Sequence, residues 1–142
     1  MAHESAADSL FNTTIASWLS VRGGARAVEF YKAAFGAVEA YRIEDPDGNV
    51  VARLSVNGAE FWLSDESPEH GSASPESPGC TTVRMILTVA DPDAVFARAL
   101  RGGAAEVSPV SEEHGWRVGR LVDPFGHQWE IGREIGRPVA VI

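Results

Sequence analysis

The chain of 142 residues holds a single cysteine, Cys80. No disulfide can form within it, and no cluster of thiolates can bind zinc. That usage suits a reducing compartment. Long apolar runs are also missing. The longest, Val83 to Ala90, is interrupted by Arg84 and falls far short of the ~20 residues that a membrane-spanning helix needs. Met1 to Asn12 contain no basic stretch followed by a hydrophobic one, so no signal peptide is expected. A cytoplasmic location is the expectation left by elimination. Positive charge is scarce: 12 Lys and Arg stand against 20 Asp and Glu, a net charge of −8. A surface of that sign repels nucleic-acid phosphates and anionic membrane faces, and neither is an expected partner. There is no G-x-S-x-G, no phosphate loop and no dinucleotide fingerprint. What remains is an ordinary globular composition, 44% apolar and 23% charged, in a chain long enough to bury a core without staples.

The chain repeats itself. Thr13 to Val21 read TTIASWLSV and Thr81 to Val89 read TTVRMILTV, 68 positions apart. Val51-Ala52-Arg53-Leu54 faces Val118-Gly119-Arg120-Leu121 at an offset of 67, and Gly58 to Leu63 face Gly126 to Ile131 at 68. Three matches in one order at nearly one offset predict two copies of one module. In each, a strand leads into a helix and three further strands. Residues 15–21 alternate as a strand, and Ala27, Phe30, Tyr31 and Ala34 recur at helical spacing over 25–35 before Gly36. Strands follow at 37–44, 49–56 and 59–65, with Asn57-Gly58 as a hairpin turn. The second copy predicts a strand at 82–89 and a helix capped by Asp91 with Pro92 at its first position. That helix ends at Gly102-Gly103, and strands follow near 104–109, 115–122 and 127–133. The expected organisation is a tail over 1–12, a βαβββ module over 13–66, an exposed Ser/Pro/Glu-rich linker over 67–80, a second βαβββ module over 81–133 and a tail over 134–142. The fold class is α+β, with curved mixed sheets around a cavity.

Side chains alternate across a strand, so each strand offers one row to the helices and one to the opposite side. Ile15, Leu19, Val21, Phe61 and Leu63 form the apolar row of the first module, and Val83, Leu87, Val89, Trp129 and Ile131 that of the second. The opposite rows mix aromatic and charged groups: Trp18 and Ser20, Glu60, Trp62 and Ser64, Arg84 and Ile86, Gln128 and Glu130. Two readings are open. The tryptophans pack on each other or on a partner chain, or they line a concave cavity.

The segments VRGGARAVEFYKAAFGA at 21–37 and GWRVGRLVDPFGHQWEI at 115–131, with the βαβββ duplication, resemble the vicinal oxygen chelate superfamily. This is the group of glyoxalase I, the extradiol dioxygenases, and the bleomycin and fosfomycin resistance proteins. The resemblance covers residues 13–133. It implies homodimers, often with cavities built from both chains. It also implies, in catalytic members, a divalent metal held by His, Glu or Gln from the first and last strands of each module. Those positions fall here on Ala16, Trp62, Arg84 and Glu130. Alanine has no donor atom, the indole N–H only donates, and arginine is a permanent cation. Only Glu130 can ligate, so the expectation is that no metal and no other cofactor is bound.

The expected function is therefore metal-independent binding of a small planar or aromatic ligand. Trp18 and Trp62 would sandwich it, flanked by Trp116, with Arg84, Gln128 and Glu130 as polar contacts. The alternative is an enzyme of the same superfamily. It would be a lyase or dioxygenase with atypical metal ligands, or a metal-free isomerase or cyclase with Glu130 as catalytic base. Arg84 and Glu130 stand on strands expected to adjoin, as an ion pair in place of the metal, as a purely structural bridge, or with Arg84 free to bind a ligand carboxylate or phosphate. His127 or His114 could act as a base at the cavity mouth, although a turn role fits either better. His3 and His70 fall in the tail and the linker, and Cys80 has no activating base nearby.

Overall fold

The structure, a computed structural model, describes residues 13–136. The expected N-terminal tail with His3, and the chain beyond residue 136, lie outside the described residues. The two repeats fold as two four-stranded sheets, each with one helix. The first comprises β1 (Trp18–Val21), α1 (Gly24–Phe35), β2 (Val38–Glu44), β3 (Val50–Val56) and β4 (Ala59–Asp65). The second comprises β5 (Arg84–Thr88), α2 (Pro92–Arg101), β6 (Ala105–Glu113), β7 (Trp116–Val122) and β8 (Gln128–Glu134). The strand orders are β1-β4-β3-β2 and β5-β8-β7-β6. In both, the first strand pairs in parallel with the last and the other pairings are antiparallel.

Local chemistry fixes the elements where the sequence places them. The Asp91 side chain accepts from the Ala94 N–H at 3.2 Å, with Pro92 in the first turn, so an orphan donor of α2 is satisfied. Asn57 and Gly58 both take positive φ, 51° and 91°, as the tight hairpin between β3 and β4 demands. Two expectations fail at the strand starts. β1 begins at Trp18, and Ile15 is fully exposed rather than packed under a helix. β5 begins at Arg84, and Val83 is 60% exposed. The segment 67–80 is not simply an exposed linker. Ser74 and Pro75 are buried, the Ser74 N–H donates to Glu66 Oε1 at 2.8 Å and its hydroxyl to the Phe125 carbonyl at 3.4 Å. Ser72 meets the Ser20 hydroxyl on β1.

One core serves both modules. Tyr31 of α1 touches Phe61 of the first sheet and Trp129 of the second, with ring centroids 5.2 and 5.7 Å apart. Phe61 and Trp129 themselves meet at 5.6 Å. The helix-facing sides of the two sheets thus share an aromatic cluster with α1, and fully burying such rings supplies about 2–3 kcal/mol each. A buried carboxylate ties the cluster together. Asp123 accepts from Tyr31 Oη, from Trp129 Nε1 at 2.9 Å and from the backbone N–H groups of Phe125 and His127, each at 2.9 Å. Burial, and the Asp123 charge beside it, push the Tyr31 hydroxyl well above its ordinary pKa.

Candidate functional site

With their inner sides joined, the sheets leave two open faces. One row crosses the open face of the first sheet in register: Trp18 on β1, Trp62 on β4, Arg53 on β3 and Tyr41 on β2. Trp18 and Trp62 stack, with centroids 5.4 Å apart and planes 6° apart. Trp18 Nε1 donates to Ser64 Oγ at 2.8 Å. From the neighbouring strand the Arg53 guanidinium lies over the Trp62 ring, 5.4 Å from its centroid, and Tyr41 meets that ring edge-on at 5.8 Å. This corrects one expectation. A planar ligand sandwiched between two rings needs about 7 Å between them, twice a van der Waals contact. Trp18 and Trp62 are too close for that, because they pack on each other.

The equivalent row of the second sheet is Ile86 on β5, Glu130 on β8, Arg120 on β7 and Ser108 on β6. Arg84 and Gln128 are partners in the next row. Arg84 Nη1 donates to Glu130 Oε1 at 2.6 Å. A hollow of about 270 Å³ opens on this face, lined by Ile86, Thr88, Trp116, Val118, Glu130 and Gly132. Gly132 leaves its floor bare: a Cβ there would stand 2.8 Å from the Arg117 carbonyl oxygen. The walls are apolar, and the Arg84–Glu130 pair stands at one side. A second hollow, of about 330 Å³, lies on the first sheet against Ala16, Arg53, Glu60 and Trp62.

The six expected site residues are therefore divided. Trp18 and Trp62 belong to one sheet, and Arg84, Trp116, Gln128 and Glu130 to the other. No hydrogen bond, ion pair or ring contact joins the two sets among the described residues. Trp116 flanks the hollow beside Glu130, not the Trp18–Trp62 stack. His127 is buried, and its Nε2 lies 2.9 Å from the Ser20 carbonyl oxygen, to which it donates. It pins the start of β8 to β1 from the wall of a further hollow, of about 550 Å³, that Trp18, Cys80 and Met85 also line. His114 takes a positive φ of 51° in an exposed turn. Cys80 is exposed. Arg120, Val118 and Gly132 were not among the expected site residues. The pairing of Arg53 with Arg120 in the repeat was the available signal for the first of them.

The positions that bear metal in catalytic members of the resembled superfamily do not fit a divalent ion. Ala16 precedes β1 and has no donor, Trp62 is enclosed by Trp18 and Arg53, and Arg84 spends a guanidinium nitrogen on Glu130. Among the described residues no three His, Cys, Asp or Glu side chains gather as a metal-binding group.

Comparison with known proteins places this architecture. A family model described as a glyoxalase-like domain matches residues 17–132, nearly the whole of both modules. The chain belongs to the glyoxalase-like domain family. Among its relatives is the Mycobacterium tuberculosis (strain ATCC 25618 / H37Rv) protein Rv0887c, 38% identical over 142 residues, covering 94% of this chain and 84% of the relative. The crystal structure of TioX from Micromonospora sp. ML1 superposes with a TM-score of 0.66 at 26% identity, over 92% of this chain and 100% of TioX. A member of the glyoxalase/bleomycin resistance protein/dioxygenase superfamily from Sphaerobacter thermophilus shares the fold with a TM-score of 0.68 at 18% identity, over 88% of this chain and 99% of that one. The vicinal oxygen chelate resemblance of the sequence and the α+β class are thus both shown. No helix among the described residues is long and apolar enough to cross a membrane.

Proposed function

We propose that this glyoxalase-like protein binds a small planar or aromatic molecule without a metal, in the hollow on the second sheet. The observation that carries the reading is the hollow itself. Its walls are Trp116, Ile86 and Val118, its floor is glycine, and a charged pair stands at its side. Apolar walls with a few placed polar groups are the chemistry of a ligand pocket. Glu130 is the sole ligating side chain at the four inherited metal positions, and it is already paired with Arg84.

The two open faces also support a homodimer. One copy presents exposed Trp18, Tyr41 and Ile43, and the other presents Ile86, 69% exposed, beside the hollow. Apposing the tryptophan-bearing face of one copy to the hollow of the second covers both. It also reunites Trp18 and Trp62 with Arg84, Trp116, Gln128 and Glu130.

Titration with planar aromatic probes, followed through tryptophan fluorescence, tests the binding reading. Trp116→Ala is expected to weaken binding at least tenfold, and unchanged affinity removes the hollow as the site. Metal analysis of protein purified without chelator is expected to find no stoichiometric ion, and one tightly held ion per chain overturns the reading.

A second reading has one observation in its favour: Glu130 lines the hollow. A carboxylate held by Arg84 could take a proton from a bound ligand as an isomerase or cyclase base. Ligand proton exchange with deuterated solvent that disappears in Glu130→Gln, while binding persists, would select this reading over simple binding.

A further inference from the structure

The two modules place an arginine at the same point of their open faces, Arg53 and Arg120, and use them differently. Arg53 is occupied. Its guanidinium covers the Trp62 ring and pairs with Glu60, whose Oε2 lies 3.6 Å from Nε, although that buried Nε, like the one of Arg120, makes no hydrogen bond. Arg120 stands beside Glu130 in register, but that carboxylate gives Oε1 to Arg84 at 2.6 Å. Arg120 makes no ion pair, ring contact or hydrogen bond among the described residues, and its Nε is buried without a partner. Its diagonal neighbour on β8, Gln128, likewise has a buried Oε1 without a partner. Two guanidinium groups thus flank one carboxylate, leaving one positive charge in surplus on this part of a chain whose net charge is −8. A buried Nε–H without an acceptor is unfavourable unless something supplies one.

We propose that Arg120 is the anchor for an anionic oxygen head group, a carboxylate or a phosphonate, on the ligand of this face. The planar fork of arginine suits both groups through paired N–H donors. The ligand's apolar body occupies the adjoining hollow against Trp116, Ile86 and Val118, and its head reaches past Glu130 to Arg120. Arg84 keeps Glu130 neutralised, so the incoming anion meets a free cation and not a bare carboxylate. Gln128 Oε1 is left to accept from a hydroxyl or N–H near the head group.

This assignment rests on the binding reading above, and the test separates the two. The full-length protein is titrated by calorimetry with naphthalene-2-carboxylate, naphthalene-2-phosphonate and the neutral naphthalene-2-carboxamide. Wild type is expected to favour at least one of the anions over the amide by tenfold or more, and the anion that binds tighter names the head group. In Arg120→Ala and Arg120→Gln that preference is expected to vanish while amide affinity stays within twofold. Arg120→Lys retains part of the preference. If anion and amide bind wild type equally, or if the preference survives in both neutral variants, Arg120 is not the anchor although the hollow is a site. If none of the three probes binds, the binding reading fails and the anchor falls with it. Unchanged circular dichroism spectra establish that the variants are folded.

Discussion

Asp123 and Tyr31 decide more at the residue scale than any charge on the surface. A carboxylate taken out of water is tolerable only when its lone pairs are satisfied. Asp123 meets that condition with four donors, from Tyr31, Trp129 and the backbone of its own turn. Replacing Tyr31 by Phe removes one donor and leaves the ring in place. The expected loss is about 1–3 kcal/mol of stability, read by urea denaturation at neutral pH. A second signature is alkaline. Because burial raises the Tyr31 pKa in the folded state, the folded protein holds this proton more tightly than the unfolded chain. The associated stability is complete below about pH 10, the ordinary tyrosine value, and is lost as pH rises further. The difference in stability between wild type and Tyr31→Phe should therefore shrink above that pH. A difference that stays constant to pH 11 would show that the hydroxyl carries no such linkage. The exposed pair of Arg84 and Glu130 is a contrast. Pairs of that kind contribute only about 0–1 kcal/mol, so Arg84→Ala should leave the melting temperature nearly unchanged, and a large drop would reveal a structural role.

At the scale of the element, sequence patterns located both modules and nearly every strand and helix. The capping residues Asp91 and Pro92 and the hairpin pair Asn57-Gly58 act locally, which is why they could be read without a structure. The strand starts could not. Alternation assigns Ile15 to a face, yet a strand persists only where a neighbour accepts its backbone. β4 meets β1 from Trp18 onward, and Ile15 is left in solvent. The segment after β4 misled in the opposite direction. Its serines and prolines suggest a solvated connection, but Ser74 is buried because Glu66 and the Phe125 carbonyl satisfy its polar groups. Gly119 on β7 shows the same dependence on neighbours. A Cβ there would stand 2.8 Å from Val110 Cγ2 and 2.9 Å from Phe96 Cε2, so the residue lets α2 settle close against β7. Gly119→Ala should therefore overpack this layer and cost about 1–3 kcal/mol. A thermal shift below 2 °C would mean that Phe96 moves aside freely.

At the scale of the whole molecule, the expected site residues could be assigned to open faces one at a time, and their separation could not be read. Alternation places Trp18, Trp62, Arg84 and Glu130 on open faces, but it does not say how two sheets turn relative to each other. Long-range aromatic contacts decide that, above all Phe61 against Trp129 and Tyr31 against both. They commit the inner sides to one core and divide the expected site residues, two on the first sheet and four on the second. The proposed second copy would bring them together, with a consequence that does not depend on knowing the ligand. Ile86 is 69% exposed in the single chain, so Ile86→Arg should leave the fold and its stability intact. In a dimer that covers this face, the same change buries an unpaired cation and should weaken association by several kcal/mol, on the order of 3 or more. Sedimentation at micromolar concentration is expected to show a dimer for wild type and a monomer for the variant, with identical circular dichroism. Aromatic-probe affinity should also fall in the variant, but Ile86 is itself a wall of the hollow, so association is read from sedimentation alone. A wild-type monomer in that experiment, with probe affinity intact, would assign the hollow to one chain alone and leave the stacked tryptophans as part of the sheet's own packing.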